Sequence, residues 1–84
     1  MDVTLEEFNK KWEWQLVKPF PGMTIDEPDA IKCLDEEFTK LYKIFPSFRY
    51  TTIFKKAGEA IVNIHQILPE YIEPITQSLN KSLQ

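Results

Sequence analysis

Cysteine, histidine and glycine are nearly missing from this chain, and each shortage removes a class of chemistry. The one cysteine, Cys33, excludes an internal disulfide, cannot build a zinc knuckle and agrees with a reducing compartment. Acidic residues lie near it, which discourages a thiolate. The one histidine, His65, sits on the rim of an apolar pattern and reads as a structural residue. With glycine only at positions 22 and 58, the chain has no Gly-x-Gly-x-x-Gly, no Walker loop and no Gly-x-Ser-x-Gly. Carboxylates gather at Asp35-Glu36-Glu37 and at Glu70 and Glu73, yet no Glu-x-x-His accompanies them, so a di-metal site lacks its ligands. No catalytic residue, cofactor or metal is expected, and the chain does not read as an enzyme.

Long apolar runs are also lacking. None approaches the roughly 18 residues that a membrane helix needs, and the predicted amphipathic faces mix charges of both signs where an interfacial anchor would be basic. The start, Met-Asp-Val-Thr-Leu-Glu-Glu, has neither the basic beginning nor the apolar centre of a secretory signal, so a small, complete cytoplasmic protein is expected.

What is present is an ordinary globular composition, 43% hydrophobic and 27% charged over 84 residues. That length makes one domain, residues 1–84, with a modest core. The net charge of −3 is unevenly placed: residues 1–37 are strongly acidic, whereas 38–68 carry Lys40, Lys43, Arg49, Lys55 and Lys56 against Glu59 alone. Such a gradient steers an encounter without defining one.

Periodicity predicts helices throughout. Thr4 and Glu7 form a capping box, and Leu5, Phe8, Trp12 and Leu16 then share one face over 4–17. Pro28 in a first turn, followed by Ile31, Leu34, Phe38, Leu41 and Phe45, predicts a second helix over 27–45 that Pro46 ends. Ile53, Phe54, Ala57, Ala60, Ile61, Ile64, Ile67 and Leu68 recur at spacings that predict a third, widely apolar helix over 51–68. Ile72, Ile75, Leu79 and Leu83 predict a fourth over 70–83. The expected fold is therefore all-α, a compact single-domain bundle of four helices in which helices 2 and 3 form a central antiparallel hairpin.

Two places stand out as candidate partner-binding sites. Trp14 falls opposite the apolar face of the first helix, and the expectation is that the Pro-rich stretch 18–23 doubles back to cover it with Phe20 or Met23; left uncovered, it is a partner anchor. The turn Phe48-Arg49-Tyr50, with Lys43 and Lys55 beside it, supplies the aromatic and Arg chemistry that interfaces concentrate. The leading expectation is a small non-catalytic protein–protein interaction module, a regulator, inhibitor, immunity-type or assembly-factor protein that binds a larger partner through surface aromatics. A helix-turn-helix nucleic-acid binder using residues 40–56 is the alternative, disfavoured by the acidic first third and by the narrow polar face of the third helix. A self-assembling subunit or homodimer, joined through that wide apolar helix, is the second alternative.

Overall fold

The computed structural model describes residues 3–84; the start at Met1 and Asp2, on which part of the reading of the N-terminus rests, lies outside them. The chain is not an all-α bundle. It runs α1 (Leu5–Lys11), β1 (Gly22–Met23), α2 (Pro28–Ile44), β2 (Arg49–Lys56), β3 (Glu59–His65) and α3 (Ile72–Ser82), with single 3₁₀ turns at Glu13–Gln15 and Pro69–Tyr71. The sheet has the order β1-β2-β3, with β1 parallel to β2 and β2 antiparallel to β3.

The first helix starts as its capping box dictates. Thr4 Oγ1 accepts from the Glu7 N–H at 3.1 Å, and Glu7 Oε1 accepts from the Thr4 N–H at 3.2 Å. It ends after two turns, short of residue 17, because the chain is drawn into the sheet: Leu16 bridges to Tyr50, and the Val17 N–H donates to the Tyr50 carbonyl at 2.9 Å. The second predicted helix is α2, which opens with Pro28 in its first turn and buries Ala30, Ile31, Leu34, Phe38 and Leu41. The last resolves into the turn at Pro69–Tyr71 and α3, which buries Ile75 and Leu79.

The central correction is at 51–68, where a β-hairpin replaces the predicted third helix. Thr51, Thr52, Ile53, Ile61, Val62 and Ile64 are β-branched, and such side chains lose less freedom on a pleated strand than against a helical turn. Ala57 and Gly58 both take positive φ, 53° and 80°, which is the two-residue turn whose twist suits a hairpin. The helix-like spacing has two physical origins. Between Tyr50 and Ile53 the register against β3 slips, three residues of β2 spanning two of β3, so a bulge turns both side chains into the core at i,i+3 spacing. Phe54 and Ile61 pair across the strands on the outer face, so apolar residues lie on both sides and strict alternation is lost.

The helices cover the inner face of the sheet. Phe8, Trp12, Ile31, Leu34, Phe38, Leu41, Phe48, Tyr50, Ile53, Ala60, Ile64, Ile75 and Leu79 form one buried cluster. Its centre is aromatic: Phe38 packs on Phe8, Trp12, Phe48 and Tyr50 with ring centroids 5.0 to 5.4 Å apart. Asparagines from the flanking helices satisfy the sheet's margins. Asn9 Nδ2 donates to the Met23 carbonyl at 2.9 Å while its Oδ1 accepts the Met23 N–H at 3.1 Å, doing the work of a neighbouring strand for β1. At β3, the Ala60 N–H donates to Asn80 Oδ1 at 2.6 Å.

Two functional expectations lose their structural basis here. Residues 40–56 comprise the end of α2, a turn and β2, so there is no recognition helix and no helix-turn-helix. The wide apolar helix expected to join copies of the chain is instead the hairpin of β2 and β3. No helix among the described residues is long and apolar enough to cross a membrane.

Candidate functional site

The two candidate patches fare differently, and the reason is the sheet. Because 48–50 leads into the central strand, Phe48 and Tyr50 are fully buried in the core and present nothing to a partner. Arg49 is half-buried and turned back on its own backbone, its Nη1 donating to the carbonyls of Phe48 at 2.8 Å and Ser47 at 3.2 Å. Lys55 is ion-paired with Glu27 just before α2, while Lys43 is exposed near the C-terminus of that helix. The proposed corner is thus a structural one, with no aromatic left at its surface.

Trp14 is the opposite case. It is 85% exposed on the 3₁₀ turn, so the expectation that the 18–23 stretch covers it does not hold. Met23 cannot reach it, being a buried residue of β1, and Phe20 is itself 47% exposed. The local cause is the short α1: once Trp12 and Leu16 are held by the core and by the sheet, the turn between them has to bring Trp14 outward.

Grooves lie on either side of the Trp14 ring. One is lined by Glu13, Leu16 and Lys18, and the Lys18–Glu13 pair at 3.3 Å spans its acidic and basic walls. The other, of about 320 Å³, runs between Trp14 and Tyr42 of α2, with Lys11, Trp12 and Gln15 completing its lining. Tyr42 meets Trp12 edge-on at 6.4 Å between centroids. Beneath this groove the polar groups are fixed: Trp12 Nε1 donates to Asp35 Oδ1 at 3.0 Å, and Lys11 Nζ binds the same carboxylate at 3.0 Å while lying 5.3 Å from the Trp12 ring centre. Trp12, Gln15 and Tyr42 are members of the site that sequence reasoning missed. Periodicity assigned Trp12 and Tyr42 to apolar stripes, and nothing in the local sequence places Gln15 beside a residue of α2.

Among the described residues no three His, Cys, Asp or Glu side chains converge. Burial, reinforced by Glu37 and Glu36, pushes the Cys33 thiol above its ordinary value, and the nearby Ser82 hydroxyl and Lys40 charge offset this only in part. His65 is exposed at the end of β3. Comparison of the chain with protein-family models, with curated proteins and with solved structures gave no match.

Proposed function

We propose that this protein is a non-catalytic interaction module that binds a larger protein through the surface centred on Trp14. The observation that carries the reading is an indole 85% exposed in a chain that buries its other tryptophan to 6%. Tryptophan is the side chain most concentrated at the energetic centre of interfaces, because it removes a large apolar area from water at the cost of few rotatable bonds. The surroundings match that use: Tyr42 is a half-exposed aromatic lining the same groove, and the Lys18–Glu13 pair provides the polar rim that surrounds such an anchor.

Photo-crosslinking in the native host tests this directly. A photoreactive phenylalanine analogue placed at position 14 is expected to capture one discrete protein, identified by mass spectrometry, whereas the same analogue at Lys56 on the far hairpin captures none. Absence of a discrete adduct from position 14, or equal capture from both positions, overturns the proposal.

A further inference from the structure

We propose that the groove between Trp14 and Tyr42 recognises a proline-rich, extended segment of the partner. The inference rests on the reading of the Trp14 surface as a protein-binding site and names what that site binds. Its starting point is Gln15. This residue is only 8% exposed, lines the groove, and its carboxamide makes no hydrogen bond to any described residue. It is not sealed away either, since Tyr50 Oη is the buried side-chain polar atom without a partner among the described residues. An amide that lines a groove, keeps access to solvent and has no partner among the described residues can bond a ligand atom in place of water.

The other lining groups say which ligand. Trp14 Nε1–H, the Tyr42 hydroxyl and the Gln15 amide are donors with no protein acceptor among the described residues. The one charged lining residue, Lys11, is already neutralised by Asp35 at 3.0 Å, so the groove offers no net charge to a phosphate or a carboxylate. It is therefore rich in neutral donors and lined by the aromatic side chains of Trp12, Trp14 and Tyr42. A polyproline helix is the complementary object: its carbonyls make no internal hydrogen bonds, proline has no N–H to satisfy, and its rings pack flat against Trp and Tyr. Its conformation is also fixed before binding, which lowers the entropy lost on association.

Calorimetric titration of the full chain with decaproline, against a Gly/Ser peptide of equal length, tests the assignment. Decaproline is expected to bind in the micromolar to millimolar range and the Gly/Ser peptide not at all. Trp14→Ala and Tyr42→Ala each weaken binding by about tenfold or more. Gln15→Met keeps the buried volume and the melting temperature but weakens binding several-fold, an effect that a purely structural Gln15 would not produce. No binding of decaproline at millimolar concentration, or binding indifferent to Trp14→Ala, overturns the inference. If position 14 still captures a protein in the host while decaproline fails to bind, the proline assignment alone falls and the interaction module stands.

Discussion

Tyr50 shows at the scale of one residue how the core tolerates a polar atom. Its ring is central to the aromatic cluster and fully buried, but its hydroxyl has no partner among the described residues. Burial pushes its ionisation up to about 12 from an ordinary value of 10.0. The folded state thus holds a proton that the unfolded state releases first, so this contribution to stability is complete below pH 10.0 and is lost as the pH rises toward about 12. Tyr50→Phe is expected to raise stability by about 1 kcal/mol at neutral pH, because an unpaired buried hydroxyl costs more than it returns. It should also flatten the alkaline fall. Urea denaturation of both proteins across the alkaline range measures the two effects together, and a Tyr50→Phe protein less stable than the parent at neutral pH contradicts this account.

At the scale of elements, the hairpin is the piece whose identity hangs on two turn residues. Gly58 at φ 80° meets nothing within 4 Å of where a Cβ would stand, so the demand for glycine is one of backbone conformation alone. Gly58→Ala is expected to cost about 1–2 kcal/mol, the ordinary penalty for an L side chain in that region. Ala57, at φ 53°, already carries such a penalty, and Ala57→Asn is expected to recover about 0.5–1 kcal/mol. Thermal denaturation of the two variants should move the midpoint in opposite directions. Were the segment helical, both would move it the other way, since alanine is the better helix former at either position. Here the sequence was partly legible and partly misleading. The first two helices announce their starts locally, one through the Thr4–Glu7 capping box and the other through the fixed φ of Pro28, whereas the hairpin conceals its period behind the bulge at 50–53 and the paired outer residues Phe54 and Ile61.

For the molecule as a whole, the two tryptophans differ in burial: Trp12 belongs to the core, and Trp14 stands in water as the anchor proposed above. Trp12 touches Phe38, Phe48 and Tyr42 and anchors Asp35, so Trp12→Ala should destabilise by about 3–5 kcal/mol and threaten the fold of so small a domain. Trp14→Ala should change stability by no more than about 0.5 kcal/mol, because the side chain it removes is already in water. Parallel chemical denaturation of the two variants distinguishes a residue that holds the core from one that does not. A large loss in Trp14→Ala would mean that the turn at 13–15 supports the core and would weaken the case for a surface anchor.

By itself the sequence determined the features whose causes are local: a capped first helix, a second helix opened by Pro28 and stopped before Pro46, a final apolar stripe, and the shortage of catalytic and ligating side chains. Tertiary structure decided what depends on residues far apart in the chain. Whether 51–68 is a helix or a hairpin turns on the pairing of β2 with β1 and β3, because backbone hydrogen bonds between strands leave no periodic trace once both faces carry apolar side chains. The same long-range pairing buried Phe48 and Tyr50, drew Leu16 to Tyr50, and left Trp14 outside beside Tyr42.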